Sequence, residues 1–205
     1  MTLDFVKEPQ KTALLVIDMQ KAFVSPGGAH CIKGAAATVP ACSQAVRSAR
    51  DLGIPVFWIR RQYREDGSDV EFTRYDAWLS GGRTMAPGSK GDNSEELADG
   101  LTAEPGDYHI IKPRWSAFFQ TELDLILRRK GIDTVILTGT TTPNCVRTTC
   151  YDAIALDYKT YIIESCCSSM TEEIQRANMA DMRNIGAVVV LSLIHICITA
   201  SLSGS

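Results

Sequence analysis

Six short apolar runs, each followed by a stretch of different character, constrain the fold of this chain more than any other feature. They fall at 13–17, 56–59, 109–111, 135–137, 161–163 and 187–191. Their apolar residues are continuous rather than alternating, as in strands buried on both faces of a parallel sheet. Candidate helices at about 38–52, 119–130, 145–156 and 171–184 are long enough to cross from one parallel strand to the next. The pattern predicts an α/β fold, a three-layer, doubly wound and mostly parallel sheet of Rossmann-like type, in a single domain over residues 1–192.

Local signals mark the helix ends. Thr38 with Pro40 reads as a start, and Gly53 followed by Pro55 as a stop. Glu122 and Asp124 open the second helix and Arg128-Arg129-Lys130-Gly131 closes it, matching the helix dipole at both ends. Thr171-Glu172-Glu173 opens the last in the same way.

Two stretches depart from the pattern. Residues 62–107 are rich in Gly, Asp, Arg and Ser and carry no strong period beyond a short helix expected around 69–79; a loop of about 45 residues in a compact domain reads as an insertion or lid. Residues 193–205 follow the last strand where a final helix would be expected, and read as a non-native or disordered tail, so His195 and Cys197 carry no functional expectation.

Composition narrows the partners. A net charge of −3 over 205 residues offers no concentrated basic face, so nucleic acid is not expected. No apolar stretch approaches the roughly 20 residues of a membrane span. The opening residues Met1 to Glu8 are too polar for a signal peptide, and seven cysteines cannot all pair, so the expectation is a cytoplasmic chain with reduced thiols and a small-molecule partner. No glycine-rich nucleotide fingerprint occurs, His30, His109 and His195 are scattered, and no Cys-x-x-Cys pair exists. Neither a zinc site nor a Cys-His mechanism is expected from such a set.

In an open α/β sheet, ligands gather beyond the carboxyl ends of the strands, where strand order reverses. Asp18 follows the first run, Lys112 the third, and Cys145 the turn after the fourth. Taken singly, Asp18 also reads as a turn cap, Lys112 as a surface lysine and Cys145 as a packed core thiol. Taken together, they are an acid, a cation and a nucleophile. A thiol at a helix start beside a lysine is expected to have a lowered pKa, with thiolate accessible near neutral pH. A carboxylate close by can take and return its proton, and free N–H groups at the helix start can hold an oxyanion. Cys31, Cys42, Cys150, Cys166 and Cys167 read as inert packed thiols.

These segments resemble the isochorismatase-like cysteine hydrolases, a family that includes nicotinamidases, N-carbamoylsarcosine and ureidoacrylate amidohydrolases and isochorismatase. The resemblance covers about residues 10–190 and rests on Asp18-Met19-Gln20, on Lys112-x-Arg114-Trp115-Ser116-Ala117-Phe118, and on Gly139-x-x-Thr142-x-x-Cys145-Val146 leading to Asp152-Ala153. It implies the isochorismatase-like hydrolase fold, a catalytic triad of Asp18, Lys112 and Cys145, and a cis peptide between Thr140 and Thr141. The Thr141 and Cys145 N–H groups would then form the oxyanion hole. It also implies a homo-oligomer and no cofactor.

Cys145 favours cleavage of an amide or ureido C–N bond through a thioester over enol ether hydrolysis, which needs no nucleophile. An isochorismatase-type ether hydrolase and a non-catalytic interaction module stand as the alternatives. The metal-binding Asp-x-His motif of nicotinamidases would fall in Trp58-Ile59-Arg60-Arg61-Gln62-Tyr63, which has neither residue, so no metal is expected. Arg60, Arg61, Arg83, Arg114 and Arg147 flank the motifs or the insertion, and a guanidinium suits a carboxylate. The expected substrate contacts are Arg60, Arg83, Arg114, Trp115 and Arg147, with one or two of the arginines touching a small, carboxylate-bearing ligand.

Overall fold

The computed structural model describes residues 8–190, so the expectations for the 193–205 tail lie outside the described residues. Six strands, β1 (Thr12–Ile17), β2 (Val56–Arg61), β3 (Tyr108–Lys112), β4 (Thr134–Thr140), β5 (Lys159–Ser168) and β6 (Val188–Val190), form one sheet. Their order is β3-β2-β1-β4-β5-β6 and every neighbouring pair is parallel. The direction of winding reverses between β1 and β4, which sets a crevice beyond their carboxyl ends.

The continuity of the apolar runs has a direct cause. Ala13, Leu15 and Ile17 of β1 pack on one face with Phe57, Ile59 and Val135. Leu14 and Val16 pack on the other with Val56, Trp58 and Ile136. Helices α4 (Leu123–Arg129), α5 (Arg147–Ala155) and α6 (Glu172–Asn184) cover the first face through Leu127, Cys150, Ala153, Met179 and Met182. Helix α2 (Ala35–Asp51) covers the second through Cys42, Ala45, Val46 and Ala49, joined by Ala98 and Leu101. Each buried Leu or Ile contributes roughly 1.5–3 kcal/mol relative to exposure, so neither face can be polar.

Helix ends differ from expectation where local chemistry is overruled. Helix α2 starts at Ala35, three residues before Thr38, and takes Pro40 inside it; Ala36, whose carbonyl Pro40 cannot bond, is solvent-exposed. Helix α4 is shorter than the expected 119–130, because Gln120 adopts a φ of 53° and the chain turns there. A single π-helical turn, Thr142–Val146, precedes α5. Thr171 caps α6 as expected, its side chain accepting from the Ile174 N–H at 3.2 Å.

The 62–107 insertion is built rather than loose. It holds α3 (Tyr75–Ser80) and a small core of its own, with Tyr63, Val70, Trp78 and Met85 packed against Ala22 of α1 (Lys21–Val24). Trp78 Nε1 donates to the Thr84 carbonyl at 2.9 Å within the insertion, and Trp58 Nε1 of β2 donates to Asp107 at 2.8 Å, tying its far end to the sheet. Among the described residues no helix is long and apolar enough to cross a membrane.

Candidate active site

The crevice between β1 and β4 depends on one glycine. Gly139 lies opposite Ile17 in the sheet with a φ of 111°, and a Cβ there would come within 2.0 Å of the Ile17 carbonyl oxygen. Only a residue without a side chain lets the two strand ends approach so closely. Just beyond, Asp18 adopts a left-handed φ of 50° and is fully buried, with its N–H bonded to the Ile59 carbonyl at 2.8 Å. Asp tolerates this conformation better than most residues, and here it turns the carboxylate into the crevice.

Lys112, at the end of β3, is also completely buried. Its Nζ donates to Asp18 Oδ2 at 2.7 Å and to the Arg114 carbonyl at 3.1 Å. A buried ammonium without such partners would be prohibitively desolvated. Asp18 Oδ1 is buried and makes no hydrogen bond. The Asp18 charge nevertheless acts on the Cys145 thiol.

Cys145 sits in the π-helical turn ahead of α5. That turn is tied to β5, since the Thr141 and Thr142 hydroxyls both donate to the Ser168 carbonyl, at 3.2 and 3.1 Å. The Thr140–Thr141 peptide is cis, and the Thr141 N–H donates no hydrogen bond among the described residues. The thiol itself departs from expectation. Burial, then the Asp18 charge, pushes it up to about 12, against the lowering influence of the Lys112 and Arg61 charges. The resting sulfur is therefore a thiol and not a thiolate near neutral pH, because desolvation and the carboxylate outweigh the two cations.

A cavity of about 240 Å³ opens onto Cys145, Thr141 and Asn144. Its other walls include Trp115, Arg61, Arg74, Tyr63, His30 and Phe23. Of the expected substrate contacts only Trp115 lies on this wall. Arg60 points to the opposite side, towards Glu95 at 3.9 Å. Arg83 stacks on Trp78 in the insertion, with its guanidinium carbon 5.9 Å from the ring centroid. Arg114 donates to the Asp69 and Pro113 carbonyls, and Arg147 pairs with Asp181 at 2.7 Å between α5 and α6. Arg60, Arg114 and Arg147 are directed to other partners, Arg83 lies over Trp78 away from Cys145, and none of the four lines the cavity.

The arginines that do line it are Arg61 and Arg74. Arg61 is buried, paired with Glu71 and bonded to the Tyr63 hydroxyl at 2.8 Å. Gln20 fixes its backbone: Gln20 Oε1 accepts from the Arg61 N–H at 2.7 Å and Nε2 donates to the Arg61 carbonyl at 2.8 Å. The Gln20 amide thus extends the β1–β2 ladder by one rung. Strand parity could have found Arg61, which shares the side of Ile59 and Phe57, whereas Arg60 shares that of Trp58. Arg74, at the end of a 3-10 turn (Phe72–Arg74) that leads into α3, carries no such signal.

The chain is similar to known proteins along almost its whole length. The isochorismatase domain model matches residues 12–192. A probable inactive nicotinamidase of Arabidopsis thaliana is 42% identical over 179 residues, covering 86% of this chain and 90% of that protein. A ureidoacrylate amidohydrolase of Pantoea ananatis is 34% identical, over 92% of this chain and 82% of that one. Among solved structures, an isochorismatase family protein of Desulfovibrio vulgaris superposes with a TM-score of 0.87 at 39% identity, covering 93% and 98% of the two chains. The N-carbamoylsarcosine amidase of Thermoplasma acidophilum gives 0.70 at 30%, over 87% and 95%. A parallel sheet that reverses between β1 and β4, with Asp18, Lys112 and Cys145 converging there, thus comes with domain-length sequence similarity, and the chain belongs to the isochorismatase family of hydrolases.

Proposed function

We propose that the protein hydrolyses an amide or ureido C–N bond of a small, carboxylate-bearing substrate through a Cys145 thioester. The observation that carries this reading is the division of labour at Asp18, where Oδ2 holds the Lys112 ammonium at 2.7 Å and Oδ1 is buried without a hydrogen bond. A carboxylate arranged in this way is fixed in place and still able to accept a proton from a neighbouring thiol.

In the reaction Asp18 takes the Cys145 proton as the sulfur attacks the substrate carbonyl. The sulfur is thus deprotonated only during attack, consistent with a resting thiol held up to about 12. The Thr141 and Cys145 N–H groups hold the tetrahedral oxyanion. As the C–N bond breaks, Asp18 passes its proton to the departing nitrogen and leaves the acyl or carbamoyl group on sulfur. Water then adds to the thioester, Asp18 accepting one of its protons, and collapse returns that proton to the sulfur and releases the acid. Lys112 keeps its proton throughout and holds Asp18 in position.

The ureidoacrylate amidohydrolase and N-carbamoylsarcosine amidase among the relatives support the C–N reading. Where the resemblance would place a nicotinamidase metal motif, this chain carries Arg61 and Tyr63 in an ion-paired cluster with Glu71. That cluster is an internally neutral ion pair whose only carboxylate is already engaged by Arg61 and Tyr63, so it leaves a metal no free acceptor. Release of ammonia from a panel of amides and ureido acids tests the proposal. Ammonia dependent on Cys145, with an acyl-enzyme mass trapped at that residue, is the expected result. Turnover of isochorismate with no ammonia from any amide would establish the ether-hydrolase alternative instead.

A further inference from the structure

The active-site cavity adjoins a second one of about 440 Å³, between the insertion and the segment at Ala29 and His30, with apolar walls from Val70, Ala77 and Trp78. Arg74 lines both, as do Tyr63, His30 and Ala29. Neither wall carries an Asp or Glu. The cation already inside, Arg61, has its guanidinium committed to Glu71 and Tyr63. Arg74 differs: among the described residues its guanidinium makes no hydrogen bond and no ion pair. It lies instead over the Trp115 indole at cation–π distance, its central carbon 5.5 Å from the ring centroid, with Arg61 5.6 Å from the same ring. Arg74 is solvent-exposed at the cavity mouth, and a cation–π contact leaves its N–H fork available to a ligand.

We infer that Arg74 is a specificity-determining residue, which receives the substrate carboxylate at the junction of the two cavities and directs the substituent beside it into the outer one. The inference rests on the proposed hydrolase reading and deepens it by naming the anchor and the shape of the ligand: an acid whose scissile group reaches Cys145 while an apolar group points towards Trp78. The neighbouring imidazole agrees with a positive wall, since burial, then Arg74 and Arg61, lower the pKa of His30. A planar fork against a carboxylate provides two parallel charge-assisted hydrogen bonds between opposite charges, whereas an alcohol offers one neutral acceptor oxygen.

The test uses matched pairs, N-carbamoyl amino acids and the corresponding N-carbamoyl amino alcohols with glycine, leucine and phenylalanine side chains, titrated calorimetrically onto the full chain carrying Cys145→Ala. Acids should bind at least about tenfold tighter than their alcohols. Adding Arg74→Gln should erase that preference while changing alcohol binding less than about twofold, and Arg74→Lys should restore part of it. Overturning results are the absence of any acid preference across the panel, or an equal loss for both members of a pair in Arg74→Gln. Cys145-dependent ammonia release from neutral amides alone would remove Arg74 and leave the hydrolase standing; Arg74-dependent acid binding with no Cys145-dependent turnover would do the reverse.

Discussion

Cys145 and Cys150 lie five residues apart, on either side of the start of α5, and burial pushes both thiols up to about 12. By that measure they are twins. What separates them is their surroundings. Cys150 is completely buried among the helices and sheet, and its nearby charges are Arg147 and Asp181, already paired with each other. Cys145 faces a cavity and has in Asp18 a carboxylate with an oxygen to spare. A perturbed thiol is therefore no marker of a nucleophile here; access and a proton acceptor are.

The sharpest way to break this contrast is to delete each thiol. Cys145→Ala should lower ammonia release on the order of 10⁴-fold or more, as expected when the nucleophile of a covalent mechanism is lost, whereas Cys150→Ala should stay within about twofold. Comparable losses in both would remove the distinction. Next in size is Asp18→Asn. Turnover should fall on the order of 10³-fold through loss of the acid-base group, while alkylation of Cys145 by iodoacetamide should speed up several-fold. The opposite signs follow because the Asp18 charge raises the thiol pKa, so removing it favours thiolate at any given pH.

Alkylation of the unaltered protein sharpens the contrast further. With a pKa of about 12, only roughly one Cys145 in 10⁴ is thiolate at pH 8, and the fraction rises tenfold per pH unit as pH increases towards 12. Peptide mass mapping should show slow modification at neutral pH and a steep rise into the alkaline range, with Cys145 still on the order of tenfold ahead of Cys150, because Cys145 lines a cavity and Cys150 is completely buried. The smallest effect concerns stability. Cys150→Ala should cost about 1–2 kcal/mol in urea denaturation, the price of a small void between α5 and the sheet, and Cys145→Ala less, because its sulfur borders an existing opening.

The strands were legible because burial on both faces leaves a trace in sequence, an unbroken apolar run as in Leu14 to Ile17. Asp18, Lys112 and Cys145 were legible as strand-end and turn residues, since in a parallel sheet topology brings carboxyl ends together whatever the intervening sequence. The thiol pKa was not. A helix start and a lysine are local facts, but the desolvation that overrides them arises only when β1, β3 and β4 close around the sulfur. The arginines divided similarly: alternation along β2 could have singled out Arg61 over Arg60, while Arg74 sits in a turn whose position is set by the packing of Trp78 and Met85. Arg147, attractive by its nearness to Cys145, is drawn away to Asp181 by an ion pair that no motif contains.

The separate small core of the insertion has an evolutionary consequence. Because Val70 and Trp78 pack in the insertion's own small core and line only the outer of the two cavities, that cavity can be reshaped there with little effect on the residues that line up Asp18, Lys112 and Cys145. New preferences can accumulate in that segment while Asp18, Lys112 and Cys145 beneath it stay in place. For an engineer the same separation marks where to randomise: exposed Ala77 and its neighbours on the outer wall, with the sheet and its reactive edge held fixed.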